Sequence, residues 1–250
     1  MINTLFVGKV YHRFDELTST NDWALELTAK SKPPEGTVIR ADMQTVGRGQ
    51  FGSRWESAPG KNLLLSIILY PHWLPVNKQF YLSMAIALAV KDAIQHPDSV
   101  IKWPNDLYLG QKKTAGILLQ NSLHGHSLQS SIVGIGLNVN QQEFDPALPN
   151  PTSLAVYMGH HIDLDALMER LFSCVEHRYL QLKSGRLEDV KRAYESVLFR
   201  REQRSFFFKK SDQSIFEGTI LGVSESGHLQ VEIATTGIVL FDLKEVQLLV

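Results

Sequence analysis

The sequence predicts an α+β protein in which a mixed β-sheet with helices is followed by a small all-β barrel. Strand-like and helix-like segments alternate up to about residue 199. Short strand-like segments separated by glycine-containing turns then fill residues 200–250. A tail of this length suits a barrel of SH3-like size. We therefore expect two domains, residues 1–199 and residues 200–250.

The elements of the first half follow from hydrophobic periodicity and from cap residues. Trp23, Ala24 and Leu27 have helical spacing and follow Ser19 or Thr20, which can cap a helix. Residues 63–70 form a continuous apolar run, which is typical of a buried strand. Strands are predicted over residues 5–14, 36–42 and 63–70, and helices over residues 20–30 and 78–95.

The second half continues with strands and then turns to helices. Pro104 interrupts an apolar stretch and separates two short strands. Asp163 can cap a helix that stops near Gly185. Strands are predicted over residues 100–103, 106–109, 114–120 and 130–139, and a further helix over residues 187–198.

Composition limits the possible functions. The chain has 250 residues, 44% hydrophobic and 20% charged, so it can bury a substantial core. A formal net charge of -1 gives no general basic surface, which argues against a nucleic-acid partner. Cys174 is the only cysteine, so no disulfide can form within the chain. The N-terminus lacks the pattern of a signal peptide, and the longest apolar run is too short for a membrane span. We expect a cytoplasmic protein without a membrane partner.

A long segment without apolar periodicity, residues 43–62, contains a G-x-G-x-x-G pattern from Gly47 to Gly52. A dinucleotide-binding fingerprint would need a helix starting inside the pattern and an acidic residue about 20 positions later. Pro59 prevents a long helix, and no acidic residue occurs between Glu56 and Asp92. The signatures of protein kinases and P-loops do not occur in the sequence either. The pattern is therefore not one of these nucleotide-binding loops.

The same loop still has the composition of an anion-binding site. Arg48, Arg54 and Lys61 supply positive charge, and Trp55 offers a flat face for a base or another ring. Glycines allow backbone N–H groups to approach an anion closely. The loop thus favours an anionic, nucleotide-like ligand. The alternative is a solvent-exposed loop with an ordinary core tryptophan.

Three further segments carry polar residues next to apolar strands. Asn105 and Asp106 follow Pro104, where two strands bend apart. Lys113, with Lys112 before it, precedes small residues that enter an apolar strand, and Asn138 is predicted inside another. A buried amide needs a hydrogen-bond partner from the protein or from a ligand. A solvated turn and a satisfied core amide are the alternatives for the lysines and for Asn138.

These segments, in this order, resemble the catalytic domain of biotin–protein ligases. The matching motifs are STN at residues 19–21, QTVGRGQFGSRWESAPGKNLLLS at 44–66, KWPNDLYL at 102–109, KKTAGILLQ at 112–120 and VGIGLNVN at 133–140. The resemblance implies the class II synthetase-like fold of biotin and lipoate ligases, with a small SH3-like domain at the C-terminus. Each motif is moderately specific, and the ordered set is strongly so.

The resemblance also implies a reaction. Biotin and MgATP give biotinyl-5′-AMP and pyrophosphate, and a lysine of a biotin carboxyl carrier protein then attacks the mixed anhydride. The implied ligands are biotin, ATP and Mg²⁺, without a tightly bound prosthetic group. The implied partner is the carrier subunit of acetyl-CoA carboxylase or a related carboxylase. Two alternatives stay open, a lipoate–protein ligase and a non-catalytic protein-binding module.

Site residues are carried over by matching motif positions. The expected catalytic residues are Lys113, Arg48 and Asp106. The expected biotin-binding residues are Ser19, Thr20, Asn21, Gln44, Gly47, Arg48, Gly49, Gln50, Lys113 and Gly116. The expected ATP-binding residues are Arg48, Trp55, Lys61, Asn105, Lys113 and Asn138, with Asp106 near Mg²⁺ through the phosphates.

The sequence departs from the common family pattern in two places. Gln50 stands where many members carry an arginine, so a cation near the adenylate phosphate is missing. Arg54 or Lys61 is expected to supply that charge instead. The segment before Ser19 is too short for a winged-helix DNA-binding domain, which predicts a monofunctional ligase rather than a repressor.

Overall fold

The computed structural model describes residues 3–249, and in this part of the chain the mixed sheet has seven strands. In chain order they are β1 (Tyr11–Leu17), β2 (Val38–Gln44), β3 (Leu63–Leu69), β4 (Ser99–Lys102), β5 (Asp106–Leu109), β6 (Lys112–His124) and β7 (Ser127–Leu137). Their order across the sheet is β1-β2-β3-β7-β6-β5-β4. β1 and β2 are parallel, and the other neighbouring pairs are antiparallel.

One face of this sheet is covered by a buried helix. The helices are α1 (Thr20–Lys30), α2 (Phe80–Ile94), α3 (Leu154–Met158), α4 (Leu164–Lys183) and α5 (Leu187–Ser196). α2 is apolar on most sides, so it lies between the sheet and the pair α4 and α5. The largest hydrophobic cluster forms there. None of the helices in the described part of the chain combines the length and apolarity of a membrane span.

The opposite face is covered only in part. α1 packs through Ala24 against Ile39, Ile68 and Ile132, which form a small separate cluster. Ser19 caps this helix because its Oγ accepts a hydrogen bond from the N–H of Asp22 at 3.4 Å. α1 contacts β2, β3 and β7. On this face of the sheet, α1 therefore does not cover β5 and β6.

The C-terminal segment forms a second, antiparallel sheet. Its strands are β8 (Arg204–Lys209), β9 (Ser214–Val223), β10 (Leu229–Ile233), β11 (Gly237–Phe241) and β12 (Val246–Leu248). They are ordered β11-β10-β9-β8-β12. A mixed sheet with helices followed by a small β structure confirms the predicted fold class. The division into domains at residues 199 and 200 stays a prediction.

The N-terminal strand differs from its prediction. The sequence predicts a strand over residues 5–14, but β1 begins at Tyr11 and ends at Leu17. Gly8 has a φ of 77°, and this left-handed conformation turns the chain before the sheet. Apolar residues before Tyr11 pack as turns, which periodicity alone does not distinguish from a strand.

Three local features further along the chain also differ. Lys112 and Lys113 begin β6 rather than a turn before it. Asn138 lies just beyond β7, where its N–H donates to the carbonyl of Thr114 at 2.8 Å. α3 has five residues, and so short a helix shows no periodicity.

A buried carboxylate fixes the N-terminal turn. Glu176 of α4 is 7% exposed and accepts hydrogen bonds from the N–H groups of Leu5, Phe6 and Val7 at 2.7, 2.7 and 3.1 Å. Hydrogen bonds to an ionised group are stronger than neutral ones. Glu176 therefore docks this turn onto α4.

Glu176→Ala is expected to lower the free energy of unfolding by about 2 kcal/mol, since the bonds to a charged acceptor are lost while the N-terminal turn can fray into water. Urea unfolding measures this change. Glu16→Ala removes an exposed carboxylate from β1 and is the matched control, with an expected change near zero. Equal stability of the two variants would show that Glu176 does not anchor the turn.

Candidate functional site

The floor of a cavity is made of glycines on the sheet face that α1 leaves open. Gly116 of β6 pairs with Gly136 of β7, and Gly134 pairs with the next outward residue of β6, Leu118. Side chains alternate between the two faces of a strand, so Ala115 and Ile117 pack in the core on the other side. The glycines leave room for a cavity of about 240 Å³.

Trp55 of the glycine-rich loop lies on this floor. A methyl group at Gly136 would be 2.5 Å from Trp55 Cε2, and one at Gly116 would be 2.9 Å from Trp55 Cζ3. Only glycines allow the ring to approach so closely. The indole Nε1–H is buried and has no acceptor among the described residues, so it can donate to a ligand.

Polar side chains form one end of the cavity. Gln44 Oε1 accepts hydrogen bonds from the N–H and the hydroxyl of Thr20 at 2.7 and 3.1 Å. Ser66 Oγ lies 2.8 Å from Thr20 Oγ1 and 2.5 Å from Asn21 Oδ1. Asn21 Nδ2 donates to Gln120 Oε1 at 2.8 Å. This network fixes donors and acceptors around the N-terminus of α1 before any ligand binds.

Charged groups form the other end. Lys113 Nζ lies 2.7 Å from Asp106 Oδ1 and 5.8 Å from the centre of the Trp55 ring. Both charged side chains are about one third exposed, at 30% and 27%, and so face the cavity and the solvent. An anionic ligand can compete with Asp106 for Lys113 because both are within reach of the same ammonium group.

The donor set for a divalent metal ion is small. Asp106 is the only carboxylate among the residues that line this cavity in the described chain. The described residues contain no group of three or more metal-binding side chains. Mg²⁺ in nucleotide sites usually takes one or two carboxylates, with phosphates and water as its other ligands. Asp106 fits that role only alongside phosphate oxygens.

The glycine-rich loop closes over the cavity as a hairpin. Trp55 N–H donates to the carbonyl of Gly47 at 3.0 Å, and Arg48 pairs with Arg54 as an isolated β-bridge. Arg48 Nε lies 2.9 Å from Asp22 Oδ2, which ties the loop to α1. The Arg48 side chain is half exposed at 52%. Because the Arg48 side chain is half exposed, its cation can turn from Asp22 to an anionic ligand.

Most of the predicted site residues line this cavity. They are Ser19, Thr20, Asn21, Gln44, Arg48, Gly49, Gln50, Trp55, Asn105, Asp106, Lys113 and Gly116. Arg54 also lines it, so of the two cations expected to replace a charge at Gln50 only Arg54 is in place. Asn105 is buried and its Nδ2 donates to the carbonyl of Ile117, which ties the turn between β4 and β5 to β6.

Three predicted residues do not line the cavity. The carbonyl of Gly47 accepts a hydrogen bond from the N–H of Trp55. The backbone carbonyl of Lys61 accepts a hydrogen bond from the N–H of Asn140 at 2.8 Å. Asn138 Nδ2 donates to the carbonyl of Thr152 at 3.1 Å, and its buried Oδ1 has no donor among the described residues. Their expected contacts with ligands stay predictions.

Several residues of the site were not predicted from the sequence. Asp22, Ser66 and Gln120 hold predicted residues in place, and Gly134 and Gly136 form the floor. Glycines two positions apart in an apolar strand signal a bare patch on one face. The partners Asp22 and Gln120 carry no local signal, because only the fold brings them to the site.

A cavity with a polar end, an indole on its floor and a cationic end is suited to a small anionic ligand. Residues 13–138 match the Biotin/lipoate A/B protein ligase family. The chain is 34% identical over 229 residues to the bifunctional ligase/repressor BirA of Bacillus subtilis, covering 89% of this chain and 69% of that protein. It is 31% identical over 175 residues to the biotin–[acetyl-CoA-carboxylase] ligase of Mycobacterium tuberculosis, covering 67% and 63%.

Solved structures agree with the sequence relatives. The biotin protein ligase of Aquifex aeolicus in complex with biotin and ATP superposes with a TM-score of 0.81 at 26% identity, covering 96% of this chain and 99% of that one. The protein belongs to the biotin/lipoate A/B protein ligase family. This confirms the family resemblance predicted from the ordered motifs.

Proposed function

We propose that this protein is an ATP-dependent ligase that activates biotin as biotinyl-5′-AMP and transfers it to a lysine of a biotin carboxyl carrier protein. The observation that carries the proposal is one cavity with a fixed polar network at one end and the Lys113–Asp106 ion pair at the other. The relative from Mycobacterium tuberculosis is named a biotin–[acetyl-CoA-carboxylase] ligase, and the Aquifex aeolicus structure is a biotin protein ligase, which favours biotin over lipoate.

The polar end suits the ureido ring of biotin. This ring has a carbonyl acceptor and two N–H donors, and amide and hydroxyl groups of Thr20, Asn21 and Gln44 can match both kinds. The glycine floor leaves space for the aliphatic chain beneath Trp55. The biotin carboxylate then reaches towards Lys113. Adenine would contact the face or edge of Trp55 that is turned away from the floor.

In the first step a carboxylate oxygen of biotin attacks the α-phosphorus of ATP. A new C–O–P linkage forms, the bond between the α-phosphorus and the bridging oxygen breaks, and pyrophosphate leaves. Negative charge that develops on the α-phosphate is offset by Lys113 and Arg48. Mg²⁺, when bound to the phosphates, neutralises charge on the leaving group, with Asp106 as its available carboxylate.

In the second step Lys113 and Asp106 can separate, and each can bind a different group. Lys113 turns to the adenylate phosphate, and Asp106 is then free to orient the ammonium group of the carrier lysine and to accept a proton from it. The amine attacks the acyl carbon, an amide forms, and AMP leaves. The 2.7 Å contact between Lys113 and Asp106 thus links the two half-reactions. A cytoplasmic location and a carrier subunit of acetyl-CoA carboxylase as partner belong to the same proposal.

Transfer of labelled biotin to a purified carrier domain tests this function. Label should appear on the carrier only when ATP and a divalent metal ion are present. Labelled lipoate with a lipoyl domain is the matched control and should give little product. Transfer that is equal without ATP, or faster with lipoate, would contradict the proposal.

A further inference from the structure

The side-chain amide of Asn21 bridges two strands that are not neighbours in the sheet. Ser66 of β3 and Leu118 of β6 flank Gly134 of β7 in the sheet register. The oxygen, carbon and nitrogen atoms of the Asn21 amide all lie within 3.0 Å of the place where a methyl group at Gly134 would be. Only a glycine lets the amide lie across β7 in this way. From there it reaches Ser66 on one side and Gln120 on the other.

Gln120 contacts the site but does not line the cavity. It lies on β6, two residues after Leu118, and its side chain is half-buried. Leu118 and Asn21 line the cavity, whereas Gln120 does not. Gln120 Oε1 accepts a hydrogen bond from Asn21 Nδ2 at 2.8 Å. Any effect of Gln120 on a ligand must therefore pass through Asn21.

The direction of this hydrogen bond determines the direction of the next one. Because Asn21 Nδ2 donates to Gln120, the oxygen of the same amide faces Ser66, and Asn21 Oδ1 lies 2.5 Å from Ser66 Oγ. An amide oxygen carries no hydrogen, so the hydroxyl of Ser66 is the donor. A serine hydroxyl has only one hydrogen to donate. Ser66 therefore has none left for its other neighbour, Thr20 Oγ1, at 2.8 Å.

The hydroxyl oxygen of Thr20 consequently accepts no hydrogen from the described residues. Its own hydrogen is donated either to Gln44 Oε1 at 3.1 Å or to Ser66 Oγ at 2.8 Å. In both cases the lone pairs of Thr20 Oγ1 stay available. Thr20 is 3% exposed and lines the cavity. Because a buried acceptor without a donor is unfavourable, this oxygen favours a ligand that brings an N–H group.

The amide of Gln44 supplies the opposite polarity. Gln44 Oε1 accepts a hydrogen bond from the N–H of Thr20 at 2.7 Å, so the Nε2 group of this amide is left to donate elsewhere. Gln44 Nε2 donates to no group within the described part of the chain, and Gln44 lines the cavity. The polar end thus offers an acceptor at Thr20 and donors at Gln44. A cyclic urea, with N–H donors and a carbonyl acceptor, matches this pair.

We propose that Gln120 is a positioning residue that sets the hydrogen-bond polarity of the polar end, so that Thr20 accepts an N–H group of the ureido ring. If residue 120 offered a donor instead, Asn21 would turn its oxygen towards residue 120 and its NH2 group towards Ser66. Ser66 would then accept from Asn21 and donate to Thr20, whose oxygen would already be satisfied. The identity of the ring rests on the proposed function, whereas the polarity rests on the hydrogen bonds themselves.

Substitutions of opposite polarity at residue 120 test this role. Gln120→Glu offers acceptors only and keeps the observed direction, whereas Gln120→Lys offers donors only and reverses it. We expect calorimetric titration with biotin, in the absence of ATP, to give an affinity within about twofold of the wild type for Gln120→Glu and about tenfold lower for Gln120→Lys. Gln120→Met offers neither group and should fall between them, because Asn21 can then adopt either orientation.

Gln129 provides the matched control. It is an exposed glutamine of β7 that accepts a hydrogen bond from Ser122 at 3.3 Å and does not line the cavity. Gln129→Glu and Gln129→Lys introduce the same charges and should leave the affinity for biotin unchanged. Titration at about 1 M salt separates polarity from charge, since a Debye length of about 3 Å screens the charge of residue 120 but does not replace a direct hydrogen bond. The difference between Gln120→Glu and Gln120→Lys should persist there.

Biotin-dependent exchange of pyrophosphate into ATP gives a second readout. Gln120→Lys should raise the KM for biotin about tenfold while kcat and the KM for ATP stay at the wild-type values, because the ring is bound equally in the ground state and the transition state. Affinities in the expected order without any exchange would support the role of Gln120 and contradict the proposed function alone. Equal affinities of the Glu and Lys variants overturn the role of Gln120, whatever the exchange assay shows. A wild-type protein that does not bind biotin would overturn both.

Discussion

Lys113→Ala is expected to slow formation of the adenylate by about 10- to 150-fold, which corresponds to the loss of a charge-assisted hydrogen bond of about 1.5–3 kcal/mol. Lys113 is the cation that the fold brings into the cavity from β6, 2.7 Å from Asp106 and above Trp55. Its charge is available to the biotin carboxylate and then to the α-phosphate. Single-turnover kinetics with biotin and ATP measure the rate.

Lys112→Ala is the matched control for this prediction. Lys112 is adjacent in sequence, begins the same strand and is exposed, but it does not line the cavity. Its loss should change the rate less than about twofold, as expected for a surface position. Comparable losses for both variants would mean that Lys113 does not act on the ligand.

Gly136→Ala is expected to lower biotin affinity by about 5- to 150-fold. A methyl group there would lie 2.5 Å from Trp55 Cε2, so the indole must move off the floor or the strands must separate. Overpacking of this kind costs about 1–3 kcal/mol, which gives the expected range. Gly136 has no left-handed φ, so alanine adds a steric effect without backbone strain. Biotin titration by calorimetry measures the affinity.

A double-mutant cycle separates this steric effect from general damage. Trp55→Ala removes the ring that the new methyl group would meet. In the Trp55→Ala background, Gly136→Ala should therefore cost much less than it does alone. Equal costs in both backgrounds would show that the glycine is not needed for the approach of Trp55.

Long elements with strong periodicity were predictable from the sequence. α1, α2, α4 and α5 lie within a few residues of their predicted bounds because each has a clear apolar pattern or a cap. α3 was not predictable, since five residues are too few for a pattern. The turns before β1 were wrongly predicted as part of the strand. The chain turns there at Gly8, which has a left-handed backbone conformation that the apolar pattern does not indicate.

The candidate site was predictable where its residues fall within ordered motifs. Thr20, Gln44, Trp55 and Lys113 come from four separate segments, and the sheet brings them to one face. Their partners were not predictable. Gln120 reaches Asn21 only because β6 lies beside β7, a contact between residues far apart in the chain.

Mass spectrometry of the small molecules bound to the protein after incubation with biotin, ATP and Mg²⁺ tests the central claim most directly. The carrier protein is left out, so that the first step cannot proceed to transfer. We predict that biotinyl-5′-AMP is recovered with the protein, that pyrophosphate is released in equal amount, and that lipoate in place of biotin yields no comparable adenylate. Recovery of unchanged biotin and ATP, or of lipoyl-5′-AMP in preference to biotinyl-5′-AMP, would contradict the account.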